Sequence, residues 1–104
     1  MTELKKYKMF IDGMWVESDT KKTFETLNPE NNKPWATVPE ASANDVDKAV
    51  NAAQKAFEGE WSKLLPRERG NFLRAIANKL RENAELLGKI ETIDTGKLFR
   101  ETNK

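Results

Sequence analysis

Near Pro39 the chain changes its period, so a fold built of one element type cannot hold both parts. Before that residue, short runs place apolar or β-branched residues next to polar ones and are separated by turn formers. Strands show this pattern because successive side chains point to opposite faces. Met9-Phe10-Ile11 and Met14-Trp15-Val16 flank Asp12-Gly13, the pair that best tolerates the positive backbone angles of a two-residue hairpin turn. Thr23 to Leu27 and Pro34 to Val38 form a second pair around Asn28-Pro29-Glu30-Asn31-Asn32. After Pro39 the spacing lengthens: Val46, Ala49, Val50, Ala53, Ala56 and Phe57 recur at helical steps of three and four. The expected arrangement is β-rich hairpins over 1–40, joined into a sheet, followed by three or more helices over 41–104.

The helix boundaries are also written in the residues. Ser42 with Asp45 three positions later is a Ser-x-x-Asp start resembling a capping box, and Gly59 supplies a stop. Pro66 suits the first turn of a second helix, where its missing donor costs nothing, and Phe72, Leu73, Ile76, Ala77 and Leu80 line one face. Asn83 is placed to cap a third helix over Ala84 to Thr95, which buries Leu86, Leu87, Ile90 and Ile93 and ends at Gly96. Gly88 inside that helix should cost about 1 kcal/mol relative to alanine. Leu98 to Lys104 opens a further helix that stops before a full amphipathic unit is written. There is no internal repeat and no low-complexity tract.

Composition narrows the chemistry. The 104 residues include no cysteine and no histidine, which removes disulfides, Fe–S clusters and the common zinc ligands together. A metal ion here would be hard and oxygen-bound. Eighteen Lys and Arg against seventeen Asp and Glu leave a charge of +1, so no global field gathers phosphates, and nucleic acid is not an expected partner. Met1 to Tyr7 hold no apolar stretch, which argues against a signal peptide or membrane anchor and makes the cytoplasm the expected location. A chain this short buries only about two thirds of its unfolded surface, enough for one core.

Taken in order, Phe10-Ile11-Asp12-Gly13-Met14-Trp15-Val16, Asn28-Pro29, Asp45-Val46-Asp47-Lys48-Ala49-Val50 with Ala56-Phe57, Trp61, and Glu91-Thr92-Ile93-Asp94-Thr95-Gly96-Lys97 closely resemble the N-terminal segment of NAD(P)-dependent aldehyde dehydrogenases. The resemblance runs from about Lys8 onward; Met14 departs from the polar residue usual before the tryptophan. It implies an α/β fold, the N-terminal part of a Rossmann-type nucleotide-binding domain whose parallel sheet is encoded further along. It also implies an enzyme that, when complete, oxidises an aldehyde to a carboxylic acid with NAD or NADP and assembles as a homo-oligomer. In that family a cysteine thiolate attacks the aldehyde, hydride passes to the nicotinamide, and a glutamate-activated water hydrolyses the thioester. Those groups lie downstream of the resembled stretch, so no catalytic and no cofactor-binding residue is carried over, and the fragment alone is expected to be inactive. One family site does map here, a monovalent cation held by the backbone carbonyls of Thr26 and Leu27 and by Asp94. The rival reading is a stand-alone interaction module that docks on a partner.

The remaining motifs favour structural roles. Arg67, Arg74 and Arg81 share a helical face, but Glu68, Glu82 and Glu85 lie close by, as expected of a solvated, salt-bridged surface. Trp15, Trp35 and Trp61 lack the basic groove that accompanies base-stacking platforms and read as core or interdomain packing. The glycines are isolated, with no Gly-x-Gly-x-x-Gly turn, and Gly96-Lys97 lacks both the earlier glycine and the following Ser or Thr of a phosphate loop. Without histidine, Ser18, Ser42 and Ser62 have no general base to activate them.

Overall fold

The structure is a computed structural model that describes residues 3–102. Its elements in chain order are strands β1 (Lys5–Lys6), β2 (Met9–Ile11), β3 (Met14–Val16), β4 (Thr23–Asn28) and β5 (Lys33–Pro39), then helices α1 (Ala43–Glu58), α2 (Glu60–Lys63), α3 (Pro66–Glu82), α4 (Ala84–Thr95) and α5 (Phe99–Thr102). Two compact units divide the chain: Met1–Leu27 with Pro34–Lys63, and Asn28–Lys33 with Leu64–Lys104.

In the first unit Asp12 and Gly13 both take positive φ, at 54° and 76°, and turn β2 back on β3 with Met9 opposite Val16 and Ile11 opposite Met14. The expected joining of the two hairpins into one sheet does not occur. β2 and β3 stand as a two-stranded ribbon, while β4 and β5 belong to a three-stranded sheet in the order β1-β5-β4. The third strand, β1, escapes sequence reading because it is two lysines, with neither β-branching nor alternation to mark it. It runs parallel to β5, Lys5 beside Ala36 and Lys6 beside Thr37, and Tyr7 N–H continues the pairing to the Thr37 carbonyl at 3.0 Å. Helix α1 follows and packs on β2 and on the one-turn helix α2.

The second unit is helical apart from the turn over residues 28–33. Pro66 occupies the first turn of α3, and the Glu68 carboxylate accepts from Leu65 N–H at 3.1 Å in place of a cap from Leu65 itself. Asn83 stands at the N-cap of α4 as expected, but its side chain makes no cap hydrogen bond there. Its Nδ2 reaches back to the Lys79 carbonyl at 2.9 Å, closing the end of α3 instead. Gly96 ends α4 in the left-handed region at φ 78°, its N–H on the Thr92 carbonyl at 2.9 Å. α5 folds onto α4 over Gly88: the Thr102 hydroxyl donates to the Gly88 carbonyl at 2.9 Å and lies 3.1 Å from the Thr92 hydroxyl. The glycine that looked like a propensity fault is the buried crossing point of these two helices.

The expected core is the largest departure. Among the described residues Ala36 is the one fully buried apolar side chain, whereas Phe72, Leu73, Ile76, Leu80, Leu86, Leu87 and Ile93 remain exposed. Trp15 is 68% exposed and stacks edge-on against Phe10 at 5.0 Å; Trp61 is exposed as well. Trp35 meets the Tyr7 ring edge-on at 6.1 Å and is half-buried.

Candidate functional site

The most closely knit polar group lies in the first unit. Positive φ at Lys21 turns the chain between β3 and β4 and brings the Lys21 N–H to the Ser18 carbonyl at 3.0 Å. The Ser18 hydroxyl, nearly fully buried, donates to the Lys22 carbonyl at 3.1 Å, and the same carbonyl accepts from Glu40 N–H at 2.9 Å. This places Asp19 N–H against the Asp45 carboxylate, 3.2 Å from each oxygen. Asp45 also accepts from Ser42 N–H at 2.9 Å and the Ser42 hydroxyl at 3.2 Å, while its own N–H donates to the Ser42 hydroxyl at 3.2 Å. The expected capping box forms, and Asp45 does one thing more by tying the helix start to a loop 26 residues earlier. No sequence signal marks that second contact, since it depends on where the loop comes to rest.

These donors decide what Asp45 can do. The Ser42 N–H holds its carboxyl below the ordinary carboxylate range, assisted by Asp19 N–H, the Ser42 hydroxyl and the nearby Lys48 charge, and opposed by burial. A carboxylate so stabilised is a weak base, and protonation would cost it these partners. Asp45 lines a groove of about 410 Å³ between the β2–β3 ribbon and α1, with Asp12, Glu17, Asp19, Lys48 and Lys55. The groove contains no nucleophile with an adjacent base, so Asp45 there is a structural anchor.

The cation candidates fall in both units. Thr26 and Leu27 are consecutive in β4, Thr26 half-buried and Leu27 exposed. Asp94 is the penultimate residue of α4 and exposed. Within the second unit, the residues that follow each of them meet. Pro29 Cγ lies 3.2 Å from where a side chain on Gly96 would begin, so the Asn-Pro turn rests on the glycine ending α4. That turn is held by Asn28, whose Oδ1 accepts from Glu30 N–H at 3.0 Å and whose carbonyl accepts from Asn32 N–H at 2.7 Å. Among the described residues no cluster of three or more His, Cys, Asp or Glu could hold a metal ion, and no helix is long and apolar enough to cross a membrane.

A dinucleotide does not fit the starts of α1 and α3. Pyrophosphate binding uses free N–H groups at a helix N-terminus behind a close backbone turn. At α1 that place is filled by the Asp45 carboxylate, and at α3 by the Glu68 carboxylate together with Pro66, which has no N–H to offer. Arg67, Arg74 and Arg81 make no ion pair among the described residues; Arg74 and Arg81 donate to Asn71 and Asn78, both at 3.1 Å. The ion pairs Lys79–Glu82, Lys89–Glu85 and Lys97–Glu91 use lysines. Of the expected solvated, salt-bridged face, Arg74 and Arg81 are held by asparagines, while Glu82 and Glu85 pair with lysines.

The family profile described as "Aldehyde dehydrogenase family" matches residues 15–104. An aldehyde dehydrogenase of Aspergillus niger is 49% identical over 89 residues, covering 86% of this chain and 18% of its own length. The NAD-dependent aldehyde dehydrogenase of Sinorhizobium meliloti superposes with TM-score 0.92 at 33% identity, covering 97% of this chain and 20% of that one. Betaine aldehyde dehydrogenase of Staphylococcus aureus, solved in complex with NAD+, superposes with TM-score 0.88 at 44% identity, covering 92% and 19%. The chain spans about a fifth of the length of these relatives.

Proposed function

The chain belongs to the aldehyde dehydrogenase family, and we propose that it forms the N-terminal part of a longer enzyme oxidising an aldehyde to a carboxylic acid with NAD or NADP. The reading is carried by one observation: the chain matches a fifth of its relatives' length while its helices leave their apolar faces exposed. With no cysteine the segment cannot supply the family's thiolate, and the starts of α1 and α3 are filled by carboxylates where a pyrophosphate would sit. Its part in the complete enzyme is architectural. It contributes outer strands and covering helices, and the hydride acceptor and nucleophile come from the remaining chain.

The monovalent cation belongs to the same proposal. Backbone carbonyls of Thr26 and Leu27 with the Asp94 carboxylate are hard oxygen donors suited to sodium or potassium, and the seating of Pro29 on Gly96 supports a shared role for the two motifs. In the complete enzyme, Asp94→Ala should abolish the rise in melting temperature on adding potassium; an unchanged rise removes the site. A cytoplasmic homo-oligomer is the expected setting of that enzyme.

A chimaera tests the main reading. The segment of S. aureus betaine aldehyde dehydrogenase that this chain matches is replaced by the chain itself. Aldehyde-dependent reduction of NAD by the folded chimaera is the expected result. A soluble chimaera without it, or turnover by the purified 104-residue chain alone, would overturn the assignment.

A further inference from the structure

The grooves of the structure differ in what they offer. One between α3 and α4 is apolar, lined by Phe72, Ile76, Leu80 and Leu87. The one beside α1 closes on Asp45, whose carboxylate is already supplied with donors. A third, of about 330 Å³ within the first unit, is basic: Lys6, Lys8, Lys21 and Lys22 line it against the single acid Glu17 among the described residues. Elsewhere the chain has fourteen basic residues against sixteen acidic ones, so a groove carrying +3 sits in a chain whose other residues sum to −2. Like charges so gathered repel one another, and none of the four lysines makes an ion pair among the described residues.

Two separate stretches of backbone bring these lysines together. β1 lies beside β5 with Lys6 opposite Thr37, and Tyr7 N–H holds the Thr37 carbonyl at 3.0 Å. Lysine is a poor strand former, so a strand written as two lysines sets local preference aside at this place. The second stretch is the turn before β4, where Lys21 stands at φ 60°, a left-handed backbone that residues with a side chain disfavour. Lys21 N–H on the Ser18 carbonyl at 3.0 Å and the buried Ser18 hydroxyl on the Lys22 carbonyl at 3.1 Å hold the turn there. The backbone that carries Lys21 and Lys22 is thus fixed in advance, which lowers the ordering cost of binding. We propose that this groove is a binding site for a phosphate group, free or as the monoester of a small metabolite. A phosphate monoester carries about −1.5 to −2 charge and three acceptor oxygens, which offset the local excess and accept from the ammonium groups and the Thr23 and Thr37 hydroxyls of the lining. Nucleic acid needs a longer basic track, and the charge outside the groove is net negative. The inference goes beyond the functional reading above and does not depend on it.

The test follows the amide spectrum of the isotope-labelled 104-residue chain during titration with inorganic phosphate and, separately, with glycerol phosphate. Sodium chloride holds the ionic strength near about 0.15 M, so that general screening stays constant. Saturable shifts at Lys8, Lys21, Lys22 and Thr23 are expected, with Lys48 and Lys63 unmoved. Shifts with both probes make the free ion sufficient; shifts with glycerol phosphate alone assign an esterified ligand. Lys6→Gln with Lys8→Gln, and Lys21→Gln with Lys22→Gln, should each weaken binding about tenfold or more, since each pair removes two charged donors. Lys63→Gln on α2, outside the groove, should leave binding unchanged. Circular dichroism of all three variants should match the unsubstituted chain because the replaced side chains are exposed; if one double variant loses its fold, the other decides. The absence of saturable shifts with either probe overturns the proposal. So do shifts that sodium chloride alone reproduces or that spread equally over Lys48, Lys55 and Lys63, and so does binding indifferent to the double substitutions.

Discussion

The first unit and the second unit solve the same difficulty in opposite ways. In the first, Trp15, Val46, Val50 and Phe57 also face water, but the buried polar side chains Ser18 and Asp45 close a loop onto a helix start through directed hydrogen bonds at 2.9 to 3.2 Å. In the second, the helices are long and well terminated, yet the buried helix position is Gly88, while leucines, isoleucines and phenylalanines face water. Buried hydrogen bonds fix geometry locally, because each donor selects one acceptor. Apolar faces fix it only when something arrives to cover them. The contrast inverts the usual expectation that large apolar residues carry stability and polar ones decorate the surface.

The largest break in that contrast should come from Asp45→Ala. It removes the acceptor of Ser42 N–H, the Ser42 hydroxyl and Asp19 N–H at one stroke, and should cost more than Ser42→Ala, for which loss of the cap predicts about 1 kcal/mol. Urea titration followed by circular dichroism compares the two. The same carboxylate makes stability depend on acidity in a definite sense. Its folded value lies below the ordinary 3.8, so above that pH it is ionised in both states and its contribution is complete. As the pH falls below 3.8 the unfolded chain takes up the proton first, and the contribution is gone once the pH drops through the lowered folded value. Melting across this acid range should show the loss in the unsubstituted chain and a flatter profile in Asp45→Asn.

A smaller effect belongs to the second unit. Gly96 stands at φ 78° with Pro29 Cγ 3.2 Å from the position of an added side chain. Gly96→Ala meets the left-handed penalty of about 1 to 2 kcal/mol, and the proline ring must give way by a few tenths of an ångström besides. Denaturant titration should register that loss, and loosening of the turn at residues 28–33 should appear in the amide exchange of Asn32, whose N–H bonds the Asn28 carbonyl at 2.7 Å.

What the residues disclosed, and what they withheld, follows the range of each interaction. The Asp12-Gly13 turn, the Ser42–Asp45 box, Pro66 and the left-handed Gly96 are set by neighbours within a few positions, and each stands where the spacing put it. The ordered motifs likewise pointed to the family that the profile over residues 15–104 identifies. The Asp19–Asp45 bond, the parallel seating of β1 on β5 and the Thr102–Gly88 crossing join residues too far apart for periodicity to register. Burial misled most. A stripe such as Phe72, Leu73, Ile76 and Leu80 states which face a helix would hide, and says nothing of whether the partner is present.

That distinction yields the smallest expected effect on stability and the sharpest test of the contrast. Leu80 has the size and spacing of a core residue, and replacing a buried leucine by a small or polar residue costs about 2 to 5 kcal/mol. At 55% exposure, most of that loss has no counterpart, because the side chain already meets water in the folded chain. Leu80→Lys should therefore change the unfolding free energy by no more than about 0.5 kcal/mol, the range of ordinary surface changes. It should at the same time reduce binding of an apolar-surface dye, since it places a charge in the α3–α4 groove. A destabilisation of core size, with dye binding unchanged, would mean that the second unit already covers this face in solution and that the two units are held by the same kind of force.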